Sequence, residues 1–202
     1  MMVHSTRHLA SVDHRMAAVV RRVGPCTLTP RRQRFQSLVR AIVGQQISTK
    51  AARSVFERLR RTVGGYVTAS RVAILTNRQL LGVGLSRQKA AYLRDLSARV
   101  VSGAVRLNRL DHLDDEAIIR KLTAVKGIGR WTAEMFLMFV LNRPDVLPVA
   151  DLGLQDGFRR VYGLRRRPTA ERMRQLAESW RPYRTVGSWY LWRYLDVVPE
   201  DY

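Results

Sequence analysis

Apolar residues recur every three or four positions through most of the chain: Phe35, Leu38, Val39, Ile42 and Val43 in one stretch, Leu93, Leu96, Val100 and Val101 in another. That is the period of one face of an α-helix. The pattern predicts helices over 8–22, 32–44, 48–62, 76–81, 87–102, 114–122, 129–141, 152–162, 169–179 and 186–197. Ser48 and Thr169 stand where N-caps belong, and Gly64-Gly65, Gly103 and Gly163 where helices stop. No alternating strand pattern is sustained, and VGGYVTASRV is too isolated to build a sheet. The expected fold is all-α, about ten helices in a single domain over 1–202, as two interleaved helical lobes around a cleft. The run Arg165-Arg166-Arg167-Pro168 reads as a solvated loop. The first few residues and the Pro-Glu-Asp-Tyr end read as frayed.

Charge changes this from a fold to a suspicion about partners. The 202 residues carry 36 Lys and Arg against 16 Asp and Glu, a net charge of +20. All but four of the 36 are Arg, whose planar fork of donors suits phosphate. Residues 1–110 hold 21 of the bases and only three acids, Asp13, Glu57 and Asp95, so they carry +18 and the remainder +2. A polyanion is the expected partner.

Other classes recede. Apolar residues make up 46% of the chain, enough for a core. No apolar run approaches the roughly 18–20 residues of a membrane span, and MMVHSTRH has no signal-peptide core, so a cytoplasmic protein with no membrane partner is expected. A single cysteine, Cys26, excludes an intrachain disulfide and a four-cysteine iron–sulfur cluster, and the four histidines form no HxxxH pair. No cofactor is required by anything in the pattern.

Residues 122–133 read LTAVKGIGRWTA. A helix ends near Thr123, a Gly127-Ile128-Gly129 turn follows, and a second apolar-periodic helix begins at once. Two glycines around one aliphatic residue let the backbone turn sharply, with Ile128 plugging the gap between the helices. The amides of Gly127, Gly129 and Arg130 then point outward at a helix start, a phosphate site blind to base sequence. Pro144-Asp145-Val146-Leu147-Pro148-Val149-Ala150 follows, and then Asp151, 24 residues after Gly127.

Hairpin, proline loop and aspartate at this spacing resemble the helix-hairpin-helix DNA glycosylase superfamily. The match extends to LVRAIVGQQISTKAA (38–52), to Leu85-Ser86-Arg87-Gln88-Lys89-Ala90 and to SWYLWRYL (188–195). It is nearest to the 3-methyladenine DNA glycosylase II branch, here without that group's N-terminal β domain. The resemblance implies a monofunctional glycosylase that flips alkylated purines out of damaged duplex DNA and hydrolyses the N-glycosidic bond. A non-catalytic duplex-binding protein built on the same hairpin is the alternative.

Under the resemblance Asp151 is the catalytic carboxylate, where position alone would make it a plain N-cap, and Leu152, Leu154 and Phe158 anchor its helix inward. Trp131 occupies the place of the nucleophilic lysine of bifunctional members, which implies no lyase step, and offers a ring to stack on a flipped base. Met135, Trp189 and Trp192 join it in the substrate pocket, with Met135 standing where other members carry Tyr. Trp189 and Tyr190 are equally readable as core. Glu134, three residues beyond Trp131, is the nearest candidate for a second acid but is read as solvent-facing or salt-bridged. Gln45, Gln46, Ile47 and Ser48 form the loop that probes the duplex, with Gln46 the first choice as wedge. Gln45 is readable instead as satisfying buried backbone groups at a helix C-terminus. Lys126, Gly127, Ile128, Gly129 and Arg130 hold the backbone. The carbonyls of Thr123, Val125 and Ile128 would hold a sodium or potassium ion, and the expected protein is a monomer.

Overall fold

The computed structural model describes residues 2–197, which form twelve α-helices and two short 3-10 helices with no strand among them. In chain order these are α1 (Met2–Val12), α2 (His14–Val23), α3 (Arg34–Gly44), α4 (Thr49–Thr62), α5 (Ala69–Ala73), α6 (Asn77–Gly82), α7 (Arg87–Val101), α8 (Asp115–Thr123), α9 (Arg130–Phe139), α10 (Leu152–Val161), α11 (Ala170–Leu176) and α12 (Arg184–Tyr194). The 3-10 helices are Leu107–His112 and Glu178–Trp180. None of the described helices is long and apolar enough to cross a membrane. The expected fraying at Pro-Glu-Asp-Tyr lies outside the described residues.

Short polar side chains set the boundaries. The Oγ atoms of Ser48, Thr68, Ser86 and Thr169, and the carboxylates of Asp114 and Asp151, each accept the amide three residues on, while Thr76 and Gln79 close a reciprocal capping box. The same device divides the helix expected over 8–22. Asp13 leaves helical geometry (φ −145°) and takes the amides of Arg15 and Met16, so α1 and α2 are separate. Nor are the first residues frayed, since α1 begins at Met2 and buries Ser5 and Leu9. The stretch set aside as VGGYVTASRV supplies α5, a helix too short to show a period.

Two compact units result, and the chain passes from one into the other and back. The contiguous unit, 31–136, buries Leu38, Val39 and Ile42 of α3 with Phe56 and Leu59 of α4 and Leu93 and Leu96 of α7. The split unit takes 2–30 and 137–197 among the described residues. Its α12 is buried continuously from Thr185 to Trp192, so it lies at the centre of the unit, packed on α1, α2 and α10. Phe158 stacks on Trp180 at 5.1 Å beside it. Arg167, in the expected solvated run, is tied to Asp156 at 2.6 Å.

This division redraws the charge map. The contiguous unit holds 21 Lys and Arg against seven acids, net +14, and the described part of the split unit holds 15 against seven, net +8. The +18 and +2 halves of the sequence are therefore not structural bodies, because α1 and α2 fold with the C-terminal helices and α8 with the N-terminal ones.

Candidate functional site

In the contiguous unit, the turn between α8 and α9 is held by short-range bonds. Val125 N–H donates to Leu122 O and Ile128 N–H to Val125 O, each at 3.1 Å, and Ile128 is buried beneath them. Gly127 adopts φ +81°, and a Cβ there would stand 2.1 Å from Cδ2 of Tyr92, so both backbone conformation and space require glycine. The amides of Gly127, Gly129 and Arg130 make no hydrogen bond among the described residues, as the phosphate reading needs. The amide of Lys126 is already given to Asp95 Oδ2 at 2.9 Å, which leaves its exposed side chain for an anion. Asp95 is pushed up by burial, but the Lys126 amide and Arg99 outweigh this and hold its carboxyl below the usual range. An open depression of about 460 Å³ is lined by 123–129 together with Gln45 and Tyr92.

The loop after α3 is fastened at two points. Lys89 Nζ donates to the carbonyl of Val43 at 2.8 Å, its ammonium pushed below its ordinary range by burial. Gln45 Nε2 donates to the carbonyl of Gly127 at 2.7 Å. Gln45 thus satisfies a backbone group, though one on the hairpin and not at the end of its own helix. Gln46 takes φ +57°, and with Ile47 it is exposed. Ser48 Oγ caps α4 through Ala51.

On α9, Arg130 is drawn to Glu116, whose hydrogen bond raises its basicity further, and to Glu134 at 3.1 Å. Glu134 is salt-bridged as expected, yet buried instead of solvent-facing. Trp131 is half-buried and Met135 fully buried.

In the split unit, Asp151 is the N-cap of α10 and only 9% exposed. Its Oδ1 accepts the Leu154 amide at 2.6 Å and Trp192 Nε1 at 2.9 Å. The indole of Trp192 is buried and stacks on Phe139 at 6.0 Å. A Cβ on Gly153 would stand 3.3 Å from Asp151 Oδ1 and 3.5 Å from Trp192 Cδ1, so glycine leaves this pair its room. Leu154 and Phe158 anchor α10 inward as expected. Leu152 does not: it is 60% exposed beside the carboxylate, because the first residue after the cap faces away from the stripe that buries Leu154 and Phe158. Trp189 is buried edge-on to Tyr190, whose hydroxyl donates to Gly24 O at 3.0 Å, a packing role for that tyrosine.

Asp95, Tyr92 and Lys89 shape this site without having been singled out as functional. Asp95 had a readable signal, since it is one of only three acids in the first 110 residues. Tyr92 and Lys89 act through contacts 35 and 46 positions away in sequence, which no local pattern carries.

Comparison with known proteins follows the same lines. A family model described as HhH-GPD superfamily base excision DNA repair protein matches residues 39–182. DNA-3-methyladenine glycosylase 1 of Schizosaccharomyces pombe is 32% identical over 192 residues, covering 92% of this chain and 84% of that protein. The solved structure of S. pombe 3-methyladenine DNA glycosylase (Mag1) in complex with abasic DNA matches with a TM-score of 0.82 at 31% identity, covering 98% of both chains. A DNA-3-methyladenine glycosidase from Bacillus halodurans matches with a TM-score of 0.86 at 36% identity, covering 94% of this chain and 88% of that one.

Proposed function

The chain belongs to the HhH-GPD superfamily of base excision DNA repair proteins, and we propose that it is a DNA glycosylase that releases alkylated purines, of the 3-methyladenine and 7-methylguanine type, from duplex DNA. The observation that carries this reading is Asp151, a carboxylate more than nine-tenths buried whose Oδ1 is fixed by two donors.

Breaking the bond between a base and deoxyribose builds positive charge on the sugar. A carboxylate held beneath C1′ stabilises that charge and positions or deprotonates the attacking water, the logic of glycoside hydrolysis. An N3- or N7-alkylated purine already carries positive charge and departs without being protonated, so one carboxylate suffices. Extruding the base requires the strand to be gripped and the vacated stack filled. The free amides at Gly127, Gly129 and Arg130 and the Lys126 side chain supply a grip on phosphate. Gln46 and Ile47, exposed on a loop anchored to that hairpin, supply the wedge. Trp131 offers a π face to the electron-poor base. With Trp131 where a lyase would need an amine, the reaction ends at hydrolysis and leaves an abasic site.

A sodium or potassium ion on the carbonyls of Thr123, Val125 and Ile128 would add positive charge beneath a bound phosphate. All three residues line one depression, and the Val125 carbonyl, already accepting from Ile128, keeps a second lone pair. The working species is taken as a cytoplasmic, nucleoid-associated monomer.

Incubating the protein with methylated duplex DNA and measuring free 3-methyladenine and 7-methylguanine tests the reading. Enzymatic release supports it. Tight binding with no free base would establish the non-catalytic binder instead, and a borohydride-trapped adduct would overturn the hydrolytic ending.

A further inference from the structure

At the opposite end of α3 from the probing loop, an open cavity of about 630 Å³ lies wholly within the contiguous unit. Eleven helical residues at about 1.5 Å each place it some 16 Å from Gln45. Among its lining residues are Arg32, Gln36, Tyr66, Arg106 and Asn108. Gln36 is 6% exposed, yet its amide makes no hydrogen bond among the described residues. Neither atom of that amide is sealed from solvent, so its donor and acceptor are open to water or to whatever enters the cavity.

The surroundings specify that occupant. Arg34 is committed, holding Asp111 through two bonds of 2.7 Å and the Leu107 carbonyl at 2.6 Å, so it forms a wall. Arg32 and Arg106 are exposed and form no ion pair among the described residues. The α3 N-terminus opens here without a side-chain cap, since Gln33 makes none, and adds unpaired amides on the same side. Tyr66 is 55% exposed, and its ring is available for stacking. Two guanidiniums and a helix start suit a phosphate, an aromatic ring suits a base, and two carboxamides suit its donor–acceptor edge.

We propose that this cavity binds a nucleoside monophosphate unit, with phosphate toward Arg32 and Arg106, the base on Tyr66 and its edge toward Gln36. It is separate from the hairpin and does not depend on the glycosylase reading.

Calorimetric titration of the full chain with dAMP, deoxyadenosine and inorganic phosphate is the test. Saturable dAMP binding, roughly tenfold tighter than either fragment, is expected. Tyr66→Ala and Arg106→Ala should each weaken dAMP binding about tenfold, the size of one lost stack or charged contact, while release of base from methylated DNA stays unchanged. Lys126→Ala should leave dAMP binding intact. A dAMP affinity lost with Lys126→Ala and kept with Tyr66→Ala would overturn the proposal, as would phosphate binding as tightly as dAMP, or no saturation. A 5′-phosphorylated trideoxyadenylate distinguishes the source: binding well above dAMP assigns the site to a strand end, and equal binding to the free nucleotide.

Discussion

The indole N–H of Trp192 and the amide of Leu154 converge on one oxygen of Asp151, from 41 residues downstream and from three. The carboxylate is therefore aimed by tertiary packing as well as by its own helix. Trp192→Phe keeps a ring for Phe139 to stack on, removes the donor and leaves a small cavity where the larger indole stood. A hydrogen bond to a charged group is worth about 1.5–3 kcal/mol, so kcat for base release should fall roughly tenfold or more with KM little changed. An unchanged kcat would mean that the Trp192 donor is not needed to position Asp151.

Asp151→Asn preserves an acceptor for both donors and deletes the charge. Release of 3-methyladenine should drop by roughly a thousandfold while affinity for methylated duplex, read by fluorescence anisotropy, stays within a few-fold of wild type. Full activity in this variant would remove Asp151 from the mechanism.

Gly127→Ala meets two penalties. The left-handed backbone costs about 1–2 kcal/mol for a residue with a Cβ, and the collision with Tyr92 costs about 1–3 kcal/mol more. Thermal unfolding should show a loss of about 3 kcal/mol, and Tyr92→Ala in the same chain should recover the steric part alone.

Gln45 joins the probing loop to the hairpin through the Gly127 carbonyl. Gln45→Ala leaves that half-buried carbonyl without its donor, a cost of about 1–3 kcal/mol, and Gln45→Glu adds a carboxylate facing it. Base release should rank wild type above Ala above Glu, measured below KM. An Ala variant with wild-type rate and stability would show that the loop needs no tether.

Asp13 contributes to the acid limit of the split unit. Burial pushes its carboxyl up, but Tyr162, Trp180 and the amides of Met16 and Arg15 outweigh that and hold it below its ordinary value of 3.8. A carboxyl depressed on folding stabilises the fold above its unfolded pKa, and that contribution fades as pH falls through the folded one. Asp13→Asn should therefore lower the melting temperature at neutral pH, and its deficit against wild type should narrow below about pH 4.

The helices legible in sequence were those with two signals together, an apolar period and a cap. Thr49–Thr62 after Ser48 and Ala170–Leu176 after Thr169 are examples. Asp13 defeats the same reasoning because the apolar period runs on through it; it breaks the helix by capping the Arg15 and Met16 amides, and the partners that hold it there, Tyr162 and Trp180, lie 149 and 167 positions away. The hairpin turn was legible because its constraint is local, two glycines around an aliphatic residue. The Gln45 tether and the Trp192 donor were not, since each is a long-range meeting of side chain and backbone or carboxylate. Leu152 was misjudged because one turn of helix after a cap does not reveal which way its first residue faces.

The split unit carries a consequence for the order in which this protein can be made. Its α1 and α2 leave the ribosome ahead of the contiguous unit, yet Thr6 finds Tyr190, and Asp13 finds Tyr162 and Trp180, only well beyond that unit in the chain. Between Pro30 and Leu137 the whole contiguous unit must be synthesised, an interval of roughly 5–20 s at about 5–20 residues per second. Through that interval Leu9, Met16 and Val19 lack the core that later buries them, while 31–136 can complete its own. The nascent protein thus waits with a bare apolar leader, and holdase chaperones that bind such segments have their window there.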